Sequence, residues 1–250
     1  ARWAGVPITL RSGKALGDPA REIVVRIKPV RHMPTGLTGD APGTVLRFSL
    51  GPDRLAVELN VNGGADPFAL HRAVMQLWAV DALNPVGGWK QSYNGTTGVV
   101  NGQVVFMEYA DPLDVPHLMK RWLGDFNASL GEARQPAEAI GAFVRAHLGF
   151  VRIHPFFDGN GCVARLVANI PVLRAGYPPI TIPMERRGDY IDLLWEYENA
   201  VGKIRRDDPL VPPHPAIERF TALMQTEWQR ALTPVAEARR RETERQANMK

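Results

Sequence analysis

The chain has 250 residues, a formal net charge of +4 and 45% hydrophobic residues, a composition that is ordinary for a globular protein. This length can build one large core or two modest cores. The sequence contains a single cysteine, which excludes an intrachain disulfide, and no run approaches the ~18 apolar residues that a membrane-spanning helix needs. We therefore expect a protein of a reducing compartment, resident in the cytoplasm, without a membrane partner.

The first part of the chain carries strand patterns. Apolar residues alternate with other residues in three stretches, at 21–30, 44–50 and 55–61. The segments between them, MPTGLTGDAPG at 33–43 and GPDR at 51–54, are rich in Gly, Pro and Asp and favour turns. The pattern predicts a partial antiparallel sheet.

Three stretches of this part carry a resemblance, RWAGVPITLRSGKAL (2–16), EIVVRIKPV (22–30) and DRLAVELNVNG (53–63). They resemble the carboxy-terminal domain of glucose-6-phosphate dehydrogenase, so residues 1–72 are interpreted as a truncated segment of such a domain. The resemblance implies that Lys14, in an RxGK motif, belongs to a sugar-phosphate site. No G-x-G-x-x-G motif occurs in the chain, so a dinucleotide site has no sequence support. We therefore expect that Lys14 does not act as a ligand in this chain.

A hairpin and a helix are predicted next. Residues 99–108 read VVNGQVVFME, in which Asn101-Gly102 between two β-rich runs favours a two-residue hairpin turn. Asp114 and Pro116 then indicate the start of a helix, with Asp114 as its cap. The apolar positions that follow at helical spacing are Leu118, Met119, Trp122, Phe126 and Leu130.

The stretch HPFFDGNGCVAR, at 154–165, lies between two further predicted helices. Apolar residues recur at helical spacing from Pro136 to Arg152, and again from Val163 to Ile170. The loop therefore leads into a helix N-terminus, where unpaired N–H groups and the positive end of the helix dipole attract phosphate.

The residue types in this loop suit phosphate chemistry. His154 can accept a proton from a hydroxyl, because the ordinary pKa of histidine is about 6.5. Asp158 can hold magnesium together with phosphate oxygens, and Arg165 can grip a terminal phosphate. The Gly-Asn-Gly run lets the backbone approach an anion closely, and its asparagine is expected to cap the second helix. These three residues are Gly159, Asn160 and Gly161.

The loop resembles the Fic (Fido) signature HPFx(D/E)GNGRxxR at every defined position except one. With its flanks, the resemblance covers residues 73–232, and it implies a mostly helical bundle with a β-hairpin flap. Together with the partial sheet, we expect an α+β fold. The flanking stretches are GGWKQ (87–91), VVFMEYADPLDVPHLMKRWLGDFN (104–127), RAGYPPITIP (174–183) and RRGDYIDLLWEYENA (186–200).

The resemblance implies a protein adenylyltransferase, which moves AMP from ATP to a hydroxyl of a target protein. It assigns His154 as the base, Asp158 as the Mg²⁺ ligand, and the hairpin at 99–108 as the flap that binds the target protein. Nucleotide binding falls to the Gly-Asn-Gly run, position 162 and Arg165. Family members usually carry Arg where Cys162 stands. A nucleotide-binding or interaction module impaired at Cys162 therefore remains an alternative, and a dehydrogenase fragment is a further one.

The end of the chain, 233–250, is predicted to be a charged helix or tail. Arg and Glu alternate there without aromatic residues, which favours a solvated helix face over nucleic-acid binding. Glu198-Asn199 resembles the end of the family's inhibitory [S/T]xxxE[G/N] helix, but Leu194 stands where Ser or Thr is required. No autoinhibition is assigned, and the oligomeric state is left open.

Overall fold

A computed structural model describes residues 7–11, 22–29, 44–50, 55–60, 67–75, 86–100, 102–130 and 135–248. The chain divides into two compact units, Ala1–Gly88 and Trp89–Lys250. Lys14 and the turns predicted at 33–43 and 51–54 lie outside the described residues.

Four strands form an antiparallel sheet in the first unit, in the order β1-β2-β3-β4. The strands predicted from alternation are β2, β3 and β4, so that prediction is confirmed. The additional strand, β1, is a five-residue run that begins with proline, and an edge strand accepts proline at its first position. The bounds are β1 Pro7–Arg11, β2 Glu22–Pro29, β3 Thr44–Leu50 and β4 Leu55–Asn60.

A helix that the sequence patterns did not predict, α1 (Pro67–Met75), follows the sheet. It runs across the predicted boundary between residues 72 and 73. That boundary, and the resemblance of residues 1–72 to a dehydrogenase domain, stay predictions.

The second unit begins with the predicted hairpin, β5 (Gly95–Val100) and β6 (Gln103–Glu108). The register pairs Val99 with Val104 and Val100 with Gln103, and Gly102 has a φ of +77° in the connecting turn. The antiparallel pair is confirmed, and its role as a flap belongs to the proposals below.

In the part of the second unit that the structure describes, five α-helices follow the hairpin, and the unit is mostly helical, as expected. The central helix is α3, which packs against α2, α4 and α6 and is buried along most of its second half. Its bounds and those of its neighbours are α2 Val115–Ser129, α3 Pro136–Ile153, α4 Asn160–Arg174, α5 Arg187–Val201 and α6 Pro215–Asn248, with a short 3-10 turn at Met184–Arg186.

Small residues let α2 approach α3 closely. The indole of Trp122 lies over Gly149, where an added Cβ would come within 3.0 Å of its Cδ1 atom. The same indole donates a hydrogen bond of 3.0 Å to the carbonyl oxygen of Ala146. This packing fixes the C-terminal half of α3, and so the position of the loop that follows it.

Two predictions about helix starts need correction. Asp114 does occupy the N-cap position of α2, but its side chain makes no cap hydrogen bond. Gly159, not Asn160, is the N-cap residue of α4, because a glycine tolerates the left-handed φ of +77° required there.

The charged end of the chain continues an existing helix. Residues 233–248 belong to α6, which is unbroken from Pro215 to Asn248. Among the described residues, no helix is both long enough and apolar enough to cross a bilayer.

Candidate active site

The loop between α3 and α4 is held by the segment that precedes β5. Phe156 is fully buried, with its ring centroid 5.4 Å from that of Trp89. The backbone N–H of Lys90 donates to the carbonyl oxygen of Pro155 at 2.9 Å. The side-chain amide of Asn94 donates to the carbonyl oxygen of Phe156, also at 2.9 Å. The segment that precedes β5 therefore fixes the loop, a contact between residues more than 60 positions apart.

Asn160 closes the loop from inside. Its side chain is 1% exposed; Oδ1 accepts from the Phe156 N–H at 2.9 Å and Nδ2 donates to the Phe156 carbonyl at 2.7 Å. The amide is thus occupied by the backbone. The predicted nucleotide contact from Asn160 stays a prediction, and it would have to be made by the main-chain N–H.

The first turn of α4 presents backbone donors. Gly159 takes the left-handed conformation, and the N–H groups of a first helical turn have no intrahelical acceptor. A Cβ at Gly161 would lie 3.4 Å from Nη1 of Arg165, in van der Waals contact with the guanidinium. The turn and the arginine therefore lie on neighbouring surfaces of one helix, an arrangement that suits an anion.

His154 ends α3 in a left-handed conformation, with a φ of 52°. Its Nδ1 lies 3.0 Å from the carbonyl oxygen of Val151, which can only accept, so the proton resides on Nδ1. Burial of the ring lowers the pKa of His154 to about 3, so the imidazole is neutral near pH 7. Nε2 therefore carries a lone pair that can accept a proton.

Arg165 lies one turn into α4, between two partners. Nη2 is 3.4 Å from the sulfur of Cys162, and Nη1 is 3.4 Å from the hydroxyl oxygen of Tyr190. The Tyr190 hydroxyl lies 3.0 Å from Nε2 of His147, which is fully buried. These contacts support a structural role for His147.

Asp158 is exposed at the start of α4, and its Oδ1 accepts the N–H of Gly159 at 2.7 Å. The described part of the chain holds no cluster of three or more His, Cys, Asp or Glu side chains able to bind a metal ion. A single carboxylate fits Mg²⁺ carried by a phosphate substrate, because Mg²⁺ keeps several waters and needs only one or two carboxylates.

Three residues of the cluster formed by His154, Tyr109 and their neighbours were missed by sequence reasoning. The Tyr109 ring stacks on the His154 ring, with centroids 3.6 Å apart. Burial raises the pKa of Glu198, which is hydrogen-bonded to Tyr109, to about 8. Burial lowers the pKa of Lys90 to about 7, with help from the charge of Lys203.

Only weak signals pointed to them in the sequence. Lys90 and Tyr109 lie inside the flanking stretches at 87–91 and 104–127, and Glu198 lies in the inhibitory-helix resemblance. In the fold Glu198 contacts Tyr109, and Leu194 is buried. As in the sequence analysis, no autoinhibitory role is assigned to Glu198.

Comparison with known proteins finds a family match within this chain. Residues 66–171 match the Fic/DOC family. The match includes the hairpin, α2, α3, the loop and most of α4. Both sides of the anchored loop therefore lie inside the Fic/DOC region.

Known relatives agree with this match. The chain is 32% identical over 167 residues to "Protein adenylyltransferase fic-1" of Caenorhabditis briggsae, an alignment that covers 64% of this chain and 29% of the relative. It is 34% identical over 129 residues to "Protein adenylyltransferase Fic" of Culex quinquefasciatus, covering 52% and 23%. The chain thus spans less than a third of the length of these curated relatives.

A solved structure resembles the fold. The crystal structure of a Fic domain containing signaling protein from Bacteroides thetaiotaomicron superposes with a TM-score of 0.55 at 26% identity. The superposition covers 67% of this chain and 60% of that one. Over the superposed part, the mostly helical fold of this chain therefore resembles that of a Fic domain.

Proposed function

We propose that this chain transfers AMP from ATP to a hydroxyl side chain of a target protein. One observation supports this most strongly. A neutral histidine, His154, lies one short loop before a helix N-terminus that suits an anion, with Arg165 on the same helix. The relatives' printed names, protein adenylyltransferase, describe the same chemistry.

The reaction would proceed by direct displacement. Nε2 of His154 takes the proton of a Ser, Thr or Tyr hydroxyl, and the oxygen attacks the α-phosphorus of ATP. As the new P–O bond forms, the bond from the α-phosphorus to the bridging oxygen breaks, and pyrophosphate leaves. The N–H groups of the first turn of α4 stabilise charge on the α-phosphate, and Arg165 holds the terminal phosphate.

Magnesium fits the same proposal. Asp158 would hold the ion, and the ion would neutralise charge on the leaving pyrophosphate. The bond from the Gly159 N–H fixes the direction of that carboxylate before any ion binds.

The hairpin offers a surface for the target protein. Val99, Val104 and Phe106 lie on one face of the hairpin and are 65%, 76% and 59% exposed. We propose that this face contacts an extended segment of the target, whose backbone could also pair with the free edge of a strand. Cytoplasmic residence of the protein and its target stays a prediction.

A second candidate function is nucleotide binding without transfer. Cys162 supports it, because a thiol at the first turn of α4 supplies no positive charge and far fewer donors than an arginine. Binding of ATP by wild type with no transfer would favour this candidate.

The first test follows label from α-labelled ATP with Mg²⁺ onto the chain itself and onto proteins of a lysate. We expect labelling by wild type and a loss of about 10²-fold or more in His154→Ala. His117→Ala, which replaces a partly exposed histidine on α2, is the matched control and should label like wild type. Equal labelling by His154→Ala and wild type would rule out the proposed mechanism.

A further inference from the structure

The rings of Tyr109 and His154 form a parallel stack. Their centroids are 3.6 Å apart and their planes differ by 4°. Tyr109 follows directly after β6, is 8% exposed, and its backbone N–H donates to the carbonyl oxygen of Asn94 at 3.1 Å. The tyrosine is therefore fixed at both its backbone and its ring.

The hydroxyl of Tyr109 is held from two elements. It accepts a hydrogen bond from the hydroxyl of Thr96 on β5 and donates one to the carboxyl group of Glu198 on α5. Glu198 is 5% exposed, and among the described residues its Oε1 has no hydrogen-bond partner. The charge of Arg152 also acts on this carboxyl group. Because an unpaired buried polar atom is costly, the bond to Tyr109 contributes to keeping Glu198 in place.

Two constraints then act on the imidazole of His154. The bond from Nδ1 to Val151 fixes the rotation of the ring within its plane. The stack on Tyr109 fixes the plane itself. Together they set the direction in which the Nε2 lone pair points.

We propose that Tyr109, held by Glu198 and Thr96, is a positioning residue that fixes the imidazole plane of His154 for proton transfer. This inference rests on the proposed function, in which Nε2 takes the hydroxyl proton. Tyr109 acts through His154 and needs no contact with either substrate.

Burial and nearby charges together set the pKa of His154, and the Tyr109 ring contributes to that burial. Lys90 lies beside it, with Nζ 6.0 Å from the Tyr109 ring centroid and 2.6 Å from Oδ1 of Asn94. Burial is the main cause of the lowered pKa of His154; the charge of Lys90 lowers it further and that of Asp158 raises it. Removing the Tyr109 ring admits water to the imidazole, so the pKa of His154 rises toward its ordinary value.

The test compares Tyr109→Leu and Tyr109→Phe with Tyr177→Leu. Tyr177 is the matched control, a partly buried tyrosine that packs edge-on against Trp228, with centroids 5.4 Å apart. The ring C–H resonances of His154, assigned by their loss in His154→Ala, are titrated by NMR. Steady-state transfer gives kcat and KM for ATP.

We expect Tyr109→Leu to raise the pKa of His154, to move its ring resonances, and to lower kcat by about 10²-fold with KM for ATP within about twofold. Tyr109→Phe keeps the stack and should retain the titration, with a smaller loss in kcat. Tyr177→Leu should leave the titration and kcat unchanged. Should the leucine variant fail to fold, Tyr109→Met replaces it, because a methionine fills the space without a ring.

The proposal is overturned if a folded Tyr109→Leu or Tyr109→Met protein keeps both the wild-type titration of His154 and the wild-type kcat. The NMR titration of His154 can be measured whether or not the protein transfers AMP. A shifted titration in a chain whose wild type never labels any protein would overturn the proposed function and would still show that Tyr109 controls the environment of the His154 ring.

Discussion

Cys162 stands in the first turn of α4, where the resemblance expects an arginine. Its sulfur lies 3.4 Å from Nη2 of Arg165, so the cysteine touches the group proposed to hold the terminal phosphate. A thiol accepts a hydrogen bond only weakly and adds no charge. The position therefore limits the positive charge available to ATP and leaves Arg165 in place.

Replacing this residue, in Cys162→Arg, should strengthen ATP binding. A guanidinium at the helix start can form charge-assisted bonds to phosphate, each contributing about 1.5–3 kcal/mol, so KM for ATP should fall about tenfold or more. Steady-state transfer at varied ATP concentration measures this. Cys162→Gln, which has donors but no charge, is the control and should give a much smaller change.

An unchanged KM in Cys162→Arg would mean that the site tolerates cysteine and that Arg165 with the backbone donors is sufficient. Tighter ATP binding by Cys162→Arg in a direct binding titration, with no transfer from either protein, would instead favour the nucleotide-binding module.

The candidate site divides into residues that sequence could predict and residues that it could not. His154, Asp158 and Arg165 fall within one continuous stretch, so their types and spacing are readable without the fold. Tyr109 reaches His154 from 45 residues away, and Glu198 reaches Tyr109 from 89 residues away, through contacts that depend on how β6 and α5 pack. No local pattern marks a tyrosine that stacks on a histidine.

At the scale of elements, the hairpin depends on a close approach to α5. A Cβ at Gly98 would overlap the indole of Trp195, so only glycine allows β5 to pack at this distance. The opposite face of the hairpin, with Val99 and Val104, is exposed. The glycine thus orients the hairpin, with one face packed and one face available.

The variant Gly98→Ala should loosen this packing. The added methyl group forces the indole or the strand to move, which typically costs about 1–3 kcal/mol. Urea unfolding measures the free energy, and hydrogen exchange of the β5 and β6 amides should accelerate more than that of α3. Thr97→Ala changes the neighbouring residue on the exposed side and should cost less than about 1 kcal/mol. Equal effects of the two variants would show that the contact with Trp195 does not hold the hairpin.

Element types were predictable where the pattern is long or the turn is distinctive. The Asn-Gly turn and the 3.6-residue period gave the hairpin, α2, α3 and α4. The short β1 and α1 were missed, because five and nine residues offer too few repeats of a period to separate strand from helix. The N-cap of α4 is Gly159 rather than the predicted Asn160, because the backbone takes a left-handed φ there, and composition does not reveal that conformation.

At the scale of the whole molecule, buried titratable groups make stability depend on pH. Burial lowers the pKa of both His147 and His154 from 6.5 to about 3. The unfolded chain therefore binds up to two more protons than the folded protein between these values. Their contribution to stability is fully present above pH 6.5 and is lost as the pH falls toward 3.

Glu198 acts with the opposite sign. Its pKa is raised from 4.5 to about 8 by burial, so the folded protein keeps a proton there that the unfolded chain releases. Its contribution is fully present below pH 4.5 and is lost as the pH rises through 8. Between pH 4.5 and 6.5 it therefore offsets one of the two histidines, and below pH 4.5 both histidines act without this offset.

The variant His147→Gln isolates the contribution of His147 to the pH dependence of stability. Glutamine can still form a hydrogen bond with the Tyr190 hydroxyl, but it does not titrate in this range. We expect the slope of unfolding free energy against pH to fall by about one proton between pH 6.5 and 3, relative to wild type. Urea unfolding at half-unit pH steps measures the slope, and contributions from all other groups cancel in the difference. The variant leaves His154 itself unchanged, so it should lose part of the acid sensitivity while His154 still titrates. If both proteins have the same slope, protonation of His147 is not part of acid unfolding, and the burial of this histidine between α3, α5 and α6 has no role in the pH dependence of the fold.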